Sequence, residues 1–182
     1  MMYFLDNDMV GLRTVTEEDI DGSYGDWFND AEVCQYNSHH KFPMTREEIS
    51  NYVREVNKGR NCLLLAVCDK TSDKHIGNIS LQQIDMINRQ TEIAFVIGDK
   101  DYWNKGYATM AARLLINHAF KELNMNRIYF GTADNNIGMQ RLGEKLKFHR
   151  GGVKRQAIYK NGKYYDVFEY DLLREEWILE MV

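Results

Sequence analysis

The 182-residue chain carries 23 basic and 27 acidic side chains, so its formal net charge is −4, and 44% of its residues are hydrophobic. We expect one domain over residues 1–182, because this length can bury a full core and no linker-like or low-complexity stretch interrupts the chain. The weakly acidic balance argues against a nucleic-acid partner, since duplex binders usually present a basic face.

The first third of the chain predicts one strand followed by two helices. Residues 9–15 form the strand. Thr16 and the acidic residues after it resemble a helix start, and that helix is expected to extend to about residue 28. A short helical turn is expected over residues 31–36. Thr45 opens a second capping box and a helix that ends near residue 57.

The rest of the chain predicts strands first and then an alternation of helices and strands. Residues 61–69 are almost continuously apolar, which indicates a strand covered on both faces. The elements expected after it are strands 75–85 and 90–98, helix 105–123, strand 127–132, helix 136–146, and strands 152–160 and 163–172 joined by an Asn-Gly hairpin turn. The order β-α-α-β-β-β-α-β-α-β-β predicts an α/β fold with a mixed sheet and helices on both faces.

Three cysteines, Cys34, Cys62 and Cys68, occur without a Cys-x-x-Cys motif. An odd number of unpaired thiols is typical of a reducing compartment. The N-terminal residues do not show a signal-peptide pattern, and no run approaches the roughly 18 apolar residues of a spanning helix. We therefore expect a cytoplasmic protein without a membrane partner.

The predicted helix over 105–123 begins with Lys105 and Gly106. A helix start presents free N–H groups that attract phosphate, and a glycine lets an anion approach the backbone. The alternative is a glycine that only makes a tight strand-to-helix turn beside a solvated lysine. The spacing matches neither a P-loop nor a dinucleotide-binding fingerprint, so the residues alone leave both interpretations open.

Residues 92–98 and 102–109 together resemble the acetyl-CoA signature of the GNAT acetyltransferase superfamily, Arg/Gln-x-x-Gly-x-Gly/Ala. Gly106 and Ala108 occupy its last two defined positions. Trp103 replaces the usual arginine or glutamine, as in the branch of ribosomal-protein N-terminal, polyamine and amino-sugar acetyltransferases. Asn104 replaces that branch's usual glycine.

A second segment, residues 136–148, resembles the Asn-x-x-Ser/Ala and Glu-Lys-x-Gly-Phe motifs of the same superfamily, with Lys147 in place of glycine. The resemblance covers about residues 9–175. It implies a GNAT acyl-CoA N-acyltransferase fold, in which strand 91–98 carries a bulge and splays away from strand 127–132. The pantetheine arm of acetyl-CoA would lie in that gap. The residues implied to bind this cofactor are Phe95, Val96, Ile97, Trp103, Asn104, Lys105, Gly106, Tyr107, Ala108, Thr109 and Asn136.

The implied chemistry is direct attack of a neutral amine on the thioester in a ternary complex. It needs a base, an oxyanion donor and a proton for the leaving thiolate. Glu92 is the candidate catalytic base, directly or through water, and Asp85 is a weaker second candidate. The alternative for Glu92 is a solvated or structural glutamate. The oxyanion donor is expected among the backbone N–H groups near residues 96–97.

The tyrosine that serves as general acid in many GNAT enzymes would lie seven residues after Asn136, where this chain has Gly143. Tyr129, Tyr159, His149 or solvent remain as proton sources. A covalent acyl-cysteine is not expected, because two of the three cysteines lie in an apolar strand. The histidines lack metal-ligand spacing, so no metal is predicted.

Residues 27–33 resemble a segment common in amino-sugar and antibiotic acetyltransferases of this branch. The candidate acceptor-binding residues are Trp27, Asn29, Tyr36, Asp85 and Tyr164, of which the aromatic ones would stack on a sugar ring. The alternative for the aromatic residues is a place in the core. Asp30, Glu32 and Asp85 would instead attract a polyamine or a protein α-amine.

The resemblance thus implies an acetyl-CoA-dependent N-acetyltransferase for a small-molecule amine, with a nucleotide-linked amino sugar as one acceptor. A protein N terminus or a polyamine is the alternative, and a non-catalytic acyl-CoA-binding module is a third hypothesis. A homodimer is compatible with the sequence, which does not fix the oligomeric state.

Overall fold

A computed structural model describes residues 2–179. Within them, one eight-stranded sheet has the order β1-β2-β3-β4-β5-β6-β8-β7. The strands are β1 Leu5–Asp6, β2 Val10–Thr14, β3 Leu63–Asp69, β4 Lys74–Asp85, β5 Gln90–Ile97, β6 Arg127–Ala133, β7 His149–Lys160 and β8 Lys163–Leu173. All neighbouring pairs are antiparallel except β5 and β6, which are parallel, so the predicted mixed sheet is confirmed.

The helices lie between strands in the expected order. They are α1 Glu17–Asp19, a π-helical turn Ile20–Tyr24, α2 Gly25–Trp27, α3 Arg46–Lys58, a 3-10 turn Lys100–Tyr102, α4 Tyr107–Lys121, α5 Ile137–Lys145 and α6 Arg174–Leu179. No helix among the described residues is long and apolar enough to cross a membrane.

The structure differs from the predicted elements in four places. The helix expected over 16–28 is three short segments, because Gly22 leaves the helical region at ψ −147°. Residues 31–36 form turns rather than a helix. Two elements, β1 and α6, were not predicted. A two-residue strand is too short to show a periodicity, and α6 is only six residues long.

The sheet is buried on both faces at its centre. On β3, Leu65 and Val67 belong to the core formed with α4, whereas Leu64 and Ala66 belong to the core formed with the π-helical turn, α2 and α3. Successive side chains of a strand point to opposite faces. The continuous apolar run of β3 therefore reflects burial on two sides, as predicted.

The parallel pair β5–β6 is joined only at its start. Residues 90–92 of β5 pair with residues 127–129 of β6, and beyond them β6 pairs only with β8. The two strands therefore diverge, and we call the space between them the β5–β6 gap. This confirms the expected splay. The expected bulge is not in β5 but in β4, where the register shifts between Gln82 and Asp85, and Gln83 has φ 50°.

Candidate active site

The backbone of β5 is open toward the β5–β6 gap. The Gly98 N–H donates to the Ile76 carbonyl, which fixes which residues of β5 face β4. By the alternation of an antiparallel ladder, the backbone groups of Phe95 and Ile97 then face away from β4, into the gap. Val96 faces β4 through its backbone. The sequence had placed all three residues at the cofactor without this distinction.

Trp103 forms a hydrogen bond with one of these backbone groups. Its indole Nε1–H donates to the Ile97 carbonyl oxygen at 2.7 Å. A carbonyl that has lost its strand partner must find another donor when it is partly buried. The indole supplies that donor, so the tryptophan at this position stabilises the splayed strand. The Ile97 carbonyl is consequently not open to a ligand, in contrast to the expectation.

The start of α4 presents unpaired amides. The first helical hydrogen bond is from Met110 N–H to the Gly106 carbonyl, and Gly106 supplies no side-chain cap. The N–H groups of Tyr107, Ala108 and Thr109 therefore have no partner within the helix. They lie at the positive end of the helix dipole, where an anionic group is stabilised. We call these three amides together with Gly106 the phosphate seat.

Three positions around these motifs adopt left-handed backbone conformations. Asn104 has φ 59°, Gly106 has φ 90° and Lys147 has φ 64°. Glycine adopts positive φ without a Cβ clash, and asparagine is the most tolerant of the other residues. This explains why asparagine replaces a family glycine at position 104. Lys147, which also stands where the family pattern has glycine, adopts a backbone conformation that glycine favours.

The side chains of the phosphate seat point to structural partners or to solvent. The Tyr107 hydroxyl donates to Asp69 Oδ1 at 3.0 Å and fixes the start of α4 on β3. Lys105 is exposed, and its Nζ lies 6.0 Å from the centre of the Tyr102 ring. Thr109 is buried. Among the described residues at this helix start, the backbone amides and the exposed charge of Lys105 are therefore available to an anion.

Asn136 caps α5 across the β5–β6 gap. Its Oδ1 accepts from the Met139 N–H at 3.1 Å, so the amide nitrogen takes no part in the cap. Further along α5, Gly143 packs directly on β6. A Cβ at residue 143 would lie 2.8 Å from Phe130 Cζ. A tyrosine here, as in the GNAT pattern, would therefore require the Phe130 side chain to move.

Glu92 and Tyr129 lie opposite each other at the closed end of the gap. The Glu92 carboxylate accepts a hydrogen bond from Gln83 Nε2 at 2.9 Å. Partial burial and the negative charge of Glu92 raise the pKa of Tyr129. The guanidinium of Arg127 lies 5.0 Å from the centre of the Tyr129 ring. The sequence named both residues but gave no sign that they are neighbours.

A cavity of about 250 Å³ lies on the other side of β5, under α3 and the π-helical turn. Its sheet wall is formed by Asn78, Ser80 and Gln82 of β4 and by residues 94–96 of β5. Leu64 of β3 extends this sheet wall. The opposite wall consists mostly of aromatic and apolar side chains, namely Tyr24, Phe28, Met44, Ile49 and Tyr52. Residues 94–96 therefore separate this cavity from the β5–β6 gap.

The described residues that line this cavity include no Asp, Glu, Lys or Arg. His39 is the one titratable imidazole among them, and its ring packs on Phe28 at 4.3 Å. Loss of water around the ring, together with the positive charge of Lys160, lowers the pKa of His39. The imidazole is therefore neutral near pH 7, and the cavity walls carry no net charge.

The β7–β8 hairpin holds the loop that closes this cavity. Lys160 Nζ donates to the carbonyl oxygens of Asn37 at 3.2 Å and of His39 at 2.8 Å. The hairpin turn is formed by Asn161 and Gly162, both with positive φ, as the Asn-Gly pair predicted. The final hairpin thus helps to shape the cavity through one lysine.

The structure contradicts the acceptor role of three predicted residues. Trp27 is 5% exposed and packs on His75 with ring centres 4.9 Å apart, so it belongs to the core. Asn29 uses both ends of its amide to fix the Met44 backbone. Asp85 closes the β4–β5 turn by accepting from the backbone of Ile87 and Asn88.

The other two predicted acceptor residues lie outside the cavity. Tyr36 lines a separate small depression with Tyr165 and Lys160. Tyr164 is 65% exposed on the hairpin and packs on Tyr159 with ring centres 4.9 Å apart. Neither residue can stack on a ring held beside residues 94–96. Asp30 and Glu32 lie outside as well, where both bind Lys100.

A buried charged cluster was missed by the sequence analysis. Arg13 donates from both terminal nitrogens to Asp19, at 2.6 and 2.7 Å, and His75 Nδ1 lies 3.1 Å from the same carboxylate. Burial would raise the pKa of Asp19, but the hydrogen bonds from Arg13 and His75 hold it well below its usual value. The only signal in the sequence was Asp19 within a helix start.

Among the described residues, no group of three or more metal-ligating side chains is present.

Comparison with known proteins identifies the family of the chain. A family model described as an acetyltransferase (GNAT) domain matches residues 10–149. The "Putative ribosomal N-acetyltransferase YdaF" of Bacillus subtilis is 39% identical over 101 residues, which are 56% of this chain and 55% of that protein. The "Uncharacterized N-acetyltransferase YnaD" of Bacillus subtilis is 31% identical over 152 residues, 84% of this chain and 86% of that protein.

The solved structures include spermidine N-acetyltransferase from Vibrio cholerae in complex with CoA and spermine. Its TM-score is 0.87 at 22% sequence identity, and the match covers 94% of this chain and 99% of that one. At this identity the likeness supports the fold alone. The family model, in contrast, spans most of the chain and includes β5, the phosphate seat and α5. The chain therefore belongs to the GNAT acetyltransferase family and is an acetyl-CoA-dependent N-acetyltransferase.

Proposed function

We propose that this enzyme acetylates a primary amine whose neighbouring groups are uncharged. The N terminus of a peptide or protein is the first candidate and an amino sugar the second. The observation that carries the proposal is the cavity beside residues 94–96, whose described lining residues include no charged side chain. The amine that reacts must be neutral, but a polyamine carries further cations, and the uncharged walls would remove their hydration without a compensating partner.

The chain's own groups fit acetyl-CoA, which supplies the activated acetyl thioester when bound. The N–H groups of Phe95 and Ile97 and the carbonyl of Phe95 fit an extended amide chain in the β5–β6 gap. The phosphate seat fits a pyrophosphate, because its amides are unpaired and a Cβ at Gly106 would meet no atom within 4 Å. These residues are the proposed cofactor contacts.

Glu92 is the proposed base. On β5 it shares a sheet face with Ala94 and Val96, whose side of the strand lines the cavity. An amine in the cavity can therefore deliver its proton to Glu92 directly or through a water molecule. The hydrogen bond from Gln83 orients the carboxylate without neutralising it. Holding the neutral amine beside the thioester supplies much of the remaining rate.

Tyr129 is the proposed proton source for the departing thiolate. Its raised pKa keeps the phenol protonated at neutral pH, and it lies opposite Glu92 at the closed end of the gap. Tyr159 and His149, the other candidate proton sources, are exposed on β7. The oxyanion that forms during attack is assigned to the N–H of Phe95 or Ile97, since both face the gap.

The names of the relatives refer to two of the possible acceptors, a protein and a polyamine. The Bacillus subtilis relative named as a ribosomal N-acetyltransferase favours a protein N terminus, although the match spans only about half of that protein. A relative named spermidine N(1)-acetyltransferase in Escherichia coli is 23% identical over 171 residues. This chain's cavity differs from what a cationic acceptor needs, so we rank the polyamine below the peptide and the amino sugar.

An acceptor screen tests the proposal. Acetyl-CoA consumption is measured with a peptide amide, glucosamine and spermidine at one pH. We expect turnover of the peptide amide, of glucosamine or of both, at a higher kcat/KM than for spermidine. Turnover of spermidine alone would refute the proposal. CoA binding without turnover across the panel would instead favour the non-catalytic acyl-CoA-binding module.

A further inference from the structure

Asn78 is a buried polar residue in the sheet wall of the cavity. It lies on β4 opposite Val96 and is 4% exposed. Its Nδ2 has no hydrogen-bond partner among the described residues. Buried side-chain donors are nearly always paired, because an unpaired one loses its hydration without a replacement. This donor therefore lacks its partner in the protein itself.

The orientation of the Asn78 amide follows from its neighbour His75. His75 Nε2 lies 2.8 Å from the Gly77 carbonyl oxygen and 3.0 Å from Asn78 Oδ1. The Gly77 carbonyl and the Asp19 carboxylate can only accept, so each ring nitrogen of His75 carries a hydrogen, Nε2 toward Gly77 and Nδ1 toward Asp19. Asn78 must then present its oxygen to His75, which leaves the amide nitrogen as the unpaired end. The assignment of nitrogen and oxygen is thus fixed by the hydrogen-bond network.

The buried charged cluster keeps this orientation rigid. His75 Nδ1 lies 3.1 Å from Asp19 Oδ1, and Asp19 forms the bidentate ion pair with Arg13. The chain of contacts from Arg13 through Asp19 and His75 ends at Asn78. A buried network of this kind restricts each member to one arrangement. An unpaired donor held in a fixed orientation at a cavity wall is suited to selecting a ligand atom.

We propose that Asn78 Nδ2 donates a hydrogen bond to an uncharged oxygen of the acceptor, next to its reacting amine. Asn78 would then be a specificity-determining residue. This inference rests on the proposed function and narrows the acceptor to an α-amino carbonyl compound or a vicinal amino alcohol. A polyamine offers only ammonium donors and cannot accept this hydrogen bond. A peptide N terminus offers its first carbonyl, and an amino sugar offers a neighbouring hydroxyl.

The test uses a matched pair of small amines. L-alaninamide carries a carbonyl beside the amine, and 3-methylbutan-2-amine has a similar shape without it. For each protein, kcat/KM is measured with both amines, and their ratio is compared between the wild type, Asn78→Leu and Asn78→Asp. Comparing ratios removes the difference in basicity between the two amines. Asn78→Asp keeps an oxygen toward His75 and replaces the donor by an acceptor.

We expect both variants to lower the alaninamide preference by about 10–100-fold while the KM for acetyl-CoA stays unchanged. Asn51→Leu is the control, because Asn51 is exposed on α3 and does not line the cavity, so the same substitution there should leave the ratio unchanged.

The outcomes separate this inference from the proposed function. An unchanged ratio in both variants would overturn the role of Asn78 and leave the proposed function standing. If Asn78→Leu fails to fold, Asn78→Asp decides in the same way. The wild type alone also tests the role of Asn78. When kcat/KM is calculated from the concentration of neutral amine, the wild type must prefer L-alaninamide to 3-methylbutan-2-amine, and no preference would overturn the inference. A wild type that acetylates no amine in the panel would overturn the proposed function and this inference together.

Discussion

Replacing Gly106 by alanine distinguishes a cofactor contact from ordinary backbone strain. Gly106 has φ +90°, and an added Cβ would meet no heavy atom within 4 Å. The cost to folding is therefore conformational alone, roughly 1–2 kcal/mol for a residue other than glycine in the left-handed region. Because Gly106 belongs to the phosphate seat, we also expect the Kd for CoA to rise about tenfold or more, which corresponds to about 1.4 kcal/mol or more.

Gly162→Ala is the matched control. Gly162 has φ +78° and the same open surroundings, but it lies in the β7–β8 turn. Urea denaturation should show a similar loss of stability for both variants, whereas calorimetric titration with CoA should show weaker binding only for Gly106→Ala. Equal CoA affinity in the two variants would refute the assignment of the phosphate seat.

Three further changes test other parts of the structure. Asp19→Ala leaves Arg13 as an unpaired buried charge and should cost roughly 3–5 kcal/mol in urea denaturation. In the wild type, the pKa of Asp19 is lower in the folded than in the unfolded protein. The stabilisation by Asp19 is therefore complete above the unfolded-state pKa of about 3.9 and is lost as the pH falls through the folded-state pKa. Urea denaturation at a series of acidic pH values checks this. Glu92→Gln should lower kcat about 100-fold at unchanged acetyl-CoA affinity, and full activity at neutral pH would remove Glu92 as the base. Gly143→Ala places a Cβ 2.8 Å from Phe130 Cζ and should cost roughly 1–3 kcal/mol; no change in the urea midpoint would contradict the packing argument.

The cofactor side of the site was largely predictable because it depends on short-range backbone features. Gly106 and the apolar helix after it predicted the start of α4, and the structure finds unpaired amides there. Trp103 and Asn104 appeared as unusual substitutions. The structure gives each a local reason, a donor for the Ile97 carbonyl and a tolerated left-handed conformation.

The acceptor side was poorly predictable because it depends on contacts between distant segments. The cavity joins residues 24–52 to β4 and β5, and a sequence pattern cannot say which face of a broken helix meets the sheet. Trp27 was expected at the acceptor for its chemistry, but its ring fills the space beside Gly98 in the core. Asn78 lies within an ordinary strand pattern, and its proposed role in binding the acceptor follows only from its unpaired side-chain nitrogen in the structure.

A competition assay tests the central claim most directly. The wild-type enzyme is given acetyl-CoA with equal concentrations of a peptide amide and spermidine, and both acetylated products are quantified by mass spectrometry. The uncharged cavity predicts that acetyl-peptide forms at least about tenfold faster, since one unpaired buried charge costs more than 1.4 kcal/mol. Preferential acetylation of spermidine would contradict the account.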